Sequence, residues 1–194
     1  MLNVIIFGAP GSGKGTQSEL IISKYGLFHI STGDILRQEI KKQTELGTIA
    51  DGYIKTGQLI PDELIIKILA DVLAANPDAK GYIFDGFPRT IAQGEALDNL
   101  LRERNTSISA VLNLVVDEDE LLNRLIKRGE ESGRTDDNPE VIQSRLEVYH
   151  NQTKPLEEYY KKKGTLFKIK GNNSIEGVFE KIVEELDRLT FQAK

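Results

Sequence analysis

The apolar run Val4-Ile5-Ile6-Phe7 breaks directly into Gly8-Ala9-Pro10-Gly11-Ser12-Gly13-Lys14-Gly15-Thr16, and a helical pattern takes over over residues 16–24. Four apolar residues are too few for a buried helix and read as a strand covered on both faces. In the helix that follows, Leu20, Ile21 and Tyr25 fall on one side. A loop with four glycines between such elements can turn successive backbone N–H groups inward around an anion. The helix N-terminus adds positive potential, and a lysine at the end of the loop can reach the outer charge of a bound phosphate chain. A turn that only joined strand to helix would need neither the lysine nor so many glycines. The segment has the form of a phosphate-binding P-loop, with Gly11, Ser12, Gly13, Lys14, Gly15 and Thr16 as its binding residues.

Further short apolar segments occur at residues 27–30, 82–84, 110–116 and 166–169. Helical patterns separate them at 32–41, 45–56, after Pro61, between the third and fourth strands, at 118–128, at 139–162 and at the C-terminal end. Ser31 and Thr32 offer N-cap chemistry, and Pro61-Asp62-Glu63 makes a good first turn. Strands alternating with helices predict an α/β fold with a five-stranded parallel sheet flanked by helices. The length of 194 residues suits one domain. Its expected core is 1–30, 61–128 and 139–194, with a small helical insertion at 31–60 and a short polar, glycine-containing lid at 129–138. Insertions at the carboxyl edge of a parallel sheet are where ligands are covered.

Composition narrows the function. Lys+Arg number 25 against 30 Asp+Glu, a net charge of -5, so the surface does not suit nucleic acid. The absence of cysteine removes disulfides, thiol catalysis and cysteine-based zinc sites, and it favours a cytoplasmic location. No apolar stretch approaches the ~20 residues of a transmembrane helix, and the first residues lack the basic leader of a signal peptide.

Gly15 stands where most P-loops carry the Ser or Thr that ligates magnesium, and Thr16 follows one place later. Mg²⁺ is therefore expected on the nucleotide phosphates and waters, with Asp85 at the end of the third strand helping through water. Six of the nine arginines have candidate roles: Arg37, Arg89, Arg124, Arg128, Arg134 and Arg145. Arg124 and Arg128, four apart, share a helix face opposite Leu121, Leu122, Leu125 and Ile126. Many arginines without a general base suit one chemistry. If the acceptor is a phosphate monoester, its attacking oxygen is already anionic, and forked guanidinium groups can gather two polyanions and stabilise the moving charge.

Taken together, these residues resemble the nucleoside monophosphate kinases, and within them the adenylate kinase family, in its short-lid form. The resemblance runs from residue 2 to about 186. Besides the glycine loop, it rests on Ser31-Thr32-Gly33-Asp34-Ile35-Leu36-Arg37, Gly57-Gln58-Leu59-Ile60-Pro61-Asp62, Asp85-Gly86-Phe87-Pro88-Arg89-Thr90 and Gly133-Arg134-Thr135-Asp136-Asp137. It implies reversible, Mg²⁺-dependent conversion of ATP and AMP to two ADP by a monomer. It also implies that Lys14 follows the transferring phosphoryl group and that Arg128, Arg134 and Arg145 converge on it. Arg37 and Arg89 would grip the AMP phosphate, with Thr32, Gln58, Leu59, Ile60, Gly86, Phe87, Pro88 and Gln93 around AMP. Arg124 and a carbonyl near Asn173 would flank the ATP adenine. The short lid implies no structural zinc.

Two alternatives stay open at this level. A UMP/CMP kinase resembles the same pattern, although Thr32 and Thr90 are of the adenylate type. Gln93 could pair with adenine N1 and N6, but an amide can turn over and suit guanine. A P-loop ATPase switch is the second alternative, and it would not need a second anion pocket. Of the remaining signals, His29 reads as a hydrogen-bonded core residue, His150 as solvated, Tyr159 and Tyr160 as packing residues, and Lys161-Lys162-Lys163 as helix-end cations.

Overall fold

The computed structural model describes residues 1–132, 134 and 136–192. Five strands, β1 (Leu2–Gly8), β2 (Phe28–Ser31), β3 (Gly81–Asp85), β4 (Ala110–Val115) and β5 (Leu166–Lys170), form one parallel sheet in the order β2-β3-β1-β4-β5. The helices are α1 (Lys14–Tyr25), α2 (Thr32–Lys41), α3 (Glu45–Lys55), α4 (Asp62–Ala75), α5 (Ile91–Glu103), α6 (Glu118–Ser132), α7 (Pro139–Val148), α8 (Leu156–Lys162) and α9 (Ile175–Gln192).

Alternation along the strands divides the core. Val4, Ile6 and Ile83 point toward Ile21 of α1 and Val178, Ile182 and Leu186 of α9. Ile5, Phe7, Tyr82 and Phe84 point the other way, against Leu69 and Leu73 of α4, Leu97 and Leu101 of α5, and Tyr160 of α8. With both faces covered, each strand can be apolar throughout, as the short runs require. Ala9, Leu121, Leu125, Ile142 and Leu146 make a third cluster, which anchors α6 and α7 beside the loop after β1.

β1 lies at the centre. The chain leaves it toward β2 at one edge and later passes it to reach β4 and β5. The carboxyl end of β1 is thus the switch point at which parallel sheets hold ligands. Ser31 and Ile6 both register with Asp85, so the strand ends beside the glycine loop share one level.

Strand ends differ from the sequence expectation by one or two residues, and three helical segments differ in ways that bear on the site. α1 begins at Lys14, so the lysine is part of the first helical turn. α6 continues past Arg128 to Ser132, because Glu130 and Glu131 are good helix formers and Ser132 Oγ donates to the Arg128 carbonyl at 2.7 Å. The single helix expected over 139–162 is divided into α7, a π-helical turn at Tyr149–Thr153 and α8. Pro155 lacks an N–H and its ring collides with an α-helical carbonyl four residues back, so the chain widens instead. Lys154 N–H then reaches the Tyr149 carbonyl at 2.8 Å, and Tyr149 lies 5.9 Å from the Phe7 ring.

Of the side chains set aside, His29 is half-buried and not fully in the core. Its Nε2 lies 3.9 Å from Asp85 Oδ2 without a hydrogen bond among the described residues. Tyr160 is a core residue, while Tyr159 donates to Asp98 Oδ2 at 2.6 Å. Lys163 pairs with the same Asp98 and lies 4.4 Å from the Tyr159 ring centre, a more specific role than a helix-end cation. Ile126, placed with the apolar side of α6, is exposed. Residues 133 and 135 of the expected lid lie outside the described residues.

Candidate active site

The loop after β1 turns through Gly11 and Gly13, whose φ angles of 84° and 92° are ones that side-chain-bearing residues rarely adopt. Gly13 caps α1, so the loop delivers its amides at a helix N-terminus. Lys14 Nζ donates to the carbonyls of Gly8 and Ala9 at 2.8 and 2.9 Å, back across the mouth of the loop. Burial, with Arg89, Arg145 and Arg128 nearby, brings the Lys14 ammonium down to about 7 despite the opposing charge of Asp85. Ser12 Oγ is buried in the loop with no hydrogen-bond partner among the described residues.

A cleft of about 690 Å³ extends from this loop between α6, α7 and the end of β3. It is lined by Gly11, Ser12, Gly13, Lys14, Gly15 and Thr16 on one wall and by Asp85, Gly86, Phe87, Pro88 and Arg89 on another. Arg37, Arg124, Arg128, Arg134, Arg145 and Asn173 also face it. A smaller cavity of about 80 Å³ adjoins it, bounded by Thr32, Gln58, Leu59, Ile60 and Gln93, and shares Arg37, Gly86, Arg89 and Arg145 with the larger one. Every site residue expected from the sequence thus lines one of two adjoining cavities.

The arginines are held by partners that the sequence reading did not assign. Asp137 has a fully buried side chain and accepts from Arg128 Nε at 2.6 Å, Arg128 Nη2 at 2.8 Å and Arg145 Nη1 at 2.5 Å. Burial alone would raise the Asp137 carboxyl, but these bonds and charges hold it below its ordinary value. Asp136 Oδ2 pairs with Arg145 at 2.9 Å. Gly129 makes this possible, since a Cβ there would sit 2.7 Å from the Asp137 carbonyl, and only a bare backbone lets the chain lie so close to α6. Arg124 bridges Glu120 at 2.8 Å and the Gly171 carbonyl at 3.1 Å, next to the loop that carries Asn173.

On the other side, Arg37 pairs with Asp34 at 2.6 Å, and Arg89 Nε donates to the Gly86 carbonyl at 2.8 Å. Burial and the neighbouring Arg145 push the Arg89 guanidinium down to about 10. Thr32 Oγ1 donates to the same Gly86 carbonyl at 2.9 Å. Gln58 reaches the rim, where its amide donates to Ser144 Oγ at 3.0 Å. Gln93 is buried, with its oxygen accepting from Arg89 N–H at 2.7 Å and its nitrogen donating to Asp62 at 2.6 Å. Asp62, Asp136 and Asp137 each stand in a segment that carries the family resemblance, but no role attached to any of them there.

Mg²⁺ keeps several waters and takes one or two carboxylates besides phosphate oxygens. Asp85, facing Lys14 across the cleft, and the unpartnered Ser12 hydroxyl fit a hydrated cation carried in on phosphates. Among the described residues, no cluster of three or more His, Cys, Asp or Glu forms a metal cage.

A parallel sheet with a glycine loop at its switch point and a second cationic pocket alongside defines a P-loop phosphotransferase of the nucleoside monophosphate kinase class. The adenylate kinase family model matches residues 6–165. The chain is 62% identical to an adenylate kinase of Azobacteroides pseudotrichonymphae genomovar. CFP2, over 97% of this chain and 99% of that protein. It is 61% identical to an adenylate kinase of Bacteroides fragilis over 97% of this chain and all of that protein. It is 50% identical to one of Porphyromonas gingivalis, over 97% of each chain. The chain belongs to the adenylate kinase family.

Proposed function

We propose that the two cavities divide the substrates, with MgATP at the glycine loop and AMP in the smaller cavity, and that the shared arginines lie over the phosphoryl group passing between them. The reaction is that of the family: ATP and AMP are converted reversibly to two ADP. An oxygen of the AMP phosphate, already anionic, bonds to the γ-phosphorus of ATP. The bond from that phosphorus to the β,γ-bridging oxygen breaks, leaving its electron pair on the departing ADP, so no proton has to move and no base is needed.

What remains is positioning and charge. The loop amides and Lys14 hold the ATP phosphates, and Lys14 turns from the Gly8 and Ala9 carbonyls to the transferring group. Arg37 and Arg89 orient the AMP phosphate, while Arg128, Arg134 and Arg145 stabilise the equatorial oxygens. Arg124 and the Asn173 loop flank the ATP base, and Thr32 and Gln93 meet the AMP base, with Gln58, Leu59 and Ile60 closing that side. Mg²⁺ bound with ATP neutralises phosphate charge, and Asp85 would orient its waters. The lid, residues 129–138, excludes water as it delivers Arg134, and residues 31–60 close over AMP. A cytoplasmic monomer belongs to the same proposal: both anion pockets are lined from one chain, and the sequence has no cysteine. Among the described residues no helix is long and apolar enough to cross a membrane.

The observation that carries this reading is that Arg37, Arg89 and Arg145 line both cavities, so two adjoining anion pockets share their cations, with Lys14 on the wall of the larger one. A phosphate chain that spans the two cavities would meet cations from both sides at the point of transfer. Product formation from MgATP supplied with AMP, CMP, UMP or GMP, or alone, tests it. Two ADP per ATP with AMP alone is the expected result; comparable ADP from ATP without acceptor would overturn it.

A further inference from the structure

We infer that Asp62 is a specificity-determining positioning residue, which fixes the side-chain amide of Gln93 in the one orientation that accepts adenine. This rests on the reading of Gln93 as a contact of the AMP base. A primary amide has an oxygen that only accepts and a nitrogen that only donates, and the two ends have nearly the same shape. Left free, the amide of Gln93 would serve either kind of base. Adenine offers N6–H as donor and N1 as acceptor, whereas a 6-oxopurine offers O6 as acceptor and N1–H as donor.

In the pocket the amide is not free. Asp62, at the first turn of α4, presents a carboxylate that only accepts, and its Oδ1 lies 2.6 Å from Gln93 Nε2. The Arg89 backbone N–H, which only donates, lies 2.7 Å from Gln93 Oε1. Turning the amide over would set oxygen against carboxylate on one side and N–H against N–H on the other. Thr90 steadies the arrangement, since its hydroxyl donates to Asp62 Oδ2 at 2.9 Å and accepts from the Gln93 backbone N–H at 3.2 Å. The orientation leaves Gln93 one N–H and one oxygen lone pair, the complement of adenine N1 and N6. A 6-oxopurine meets like against like at both atoms.

The test compares kcat/KM for AMP and for inosine monophosphate, which keeps adenine's size but reverses the pattern at N1 and C6. Asp62→Asn preserves volume while allowing either oxygen or N–H to face Gln93. The expected result is a fall of about tenfold in the AMP-to-IMP ratio, the scale of one hydrogen bond to a charged group. An unchanged ratio, or equal losses for both nucleotides, makes Asp62 a structural support and overturns the inference. Gln93→Ala separates the two levels. If it leaves the ratio untouched, Gln93 does not meet the base and the pocket reading fails with the inference; if it collapses the ratio while Asp62→Asn does not, only the role of Asp62 fails. Should Asp62→Asn not fold, NMR of the unsubstituted enzyme decides the same point. A through-hydrogen-bond coupling from Gln93 Nε2 to the Asp62 carboxylate supports the lock, and a freely rotating amide rejects it.

Discussion

In the proposed ATP site, the phosphate-binding groups come from the consecutive residues 8–16, from the end of β1 to the first turn of α1, whereas in the proposed AMP site Thr32, Gln58, Gly86, Arg89 and Gln93 come from four separate segments. The first site is made of backbone amides shaped by glycine conformations. The second is made of side chains held in place by other groups: Arg37 by the Asp34 carboxylate, Arg89 by the Gly86 backbone carbonyl, Gln93 by the Asp62 carboxylate. A loop of backbone donors recognises any phosphate chain of the right shape. A network of side chains can choose among bases, and its link from Gln93 to Asp62 joins residues 31 positions apart.

That contrast gives an ordered set of expectations. Arg89→Ala should have the largest effect, lowering phosphoryl transfer about 10³-fold while leaving ATP affinity nearly intact, by steady-state rates and direct binding. Equal loss of ATP affinity would mean that the two halves are not separable. Asp137→Ala should come next. It leaves Arg128 and Arg145 without their shared carboxylate, and it should lower stability by about 3 kcal/mol in denaturant unfolding, with a fall in kcat. Unaltered stability would show that the arginines do not need their holder.

Lys14 supplies a test by pH. Its ammonium is depressed to about 7 in the folded chain against 10.5 ordinarily. Between those values the unfolded state binds the extra proton, so stability of the nucleotide-free enzyme should rise with pH across that window. ATP phosphates favour the charged form, so binding of a non-hydrolysable ATP analogue at pH 8 should take up close to one proton. Calorimetry in buffers of different ionisation enthalpy measures the uptake, which should vanish in Lys14→Met. The smallest effect belongs to the rim. Ser144→Ala removes the hydroxyl that accepts from Gln58 and donates to the Thr56 carbonyl at 2.9 Å, and it should change KM for AMP only about twofold. A larger change would give the contact between the insertion and α7 a role in closure.

The glycine loop, the five strands and the arginine set could be read from the chain because each depends on neighbours in sequence or on a repeating pattern. Short apolar runs specify buried strands, four glycines around a lysine specify a phosphate loop, and arginines without a base specify phosphoryl transfer to an anion. Asp62, Asp136 and Asp137 could not be assigned in this way. An aspartate at a helix start is ordinary, and nothing within a few residues of Asp62 shows that Gln93, 31 positions later, will lie 2.6 Å away. The division of the helix over 139–162 was signalled by Pro155, but the π-helical turn that absorbs it depends on Tyr149 packing against Phe7.

By itself the sequence determined a parallel α/β kinase with a phosphate loop, and it named the cationic residues, because local conformation and hydrophobic period act over short spans of chain. The tertiary structure alone decided which carboxylates hold which arginines and which way the Gln93 amide faces. Those choices are made by donors and acceptors that the fold brings together from different elements, some only eight or nine residues apart and Gln93 and Asp62 31 apart, where the penalty for a buried mismatch leaves one arrangement.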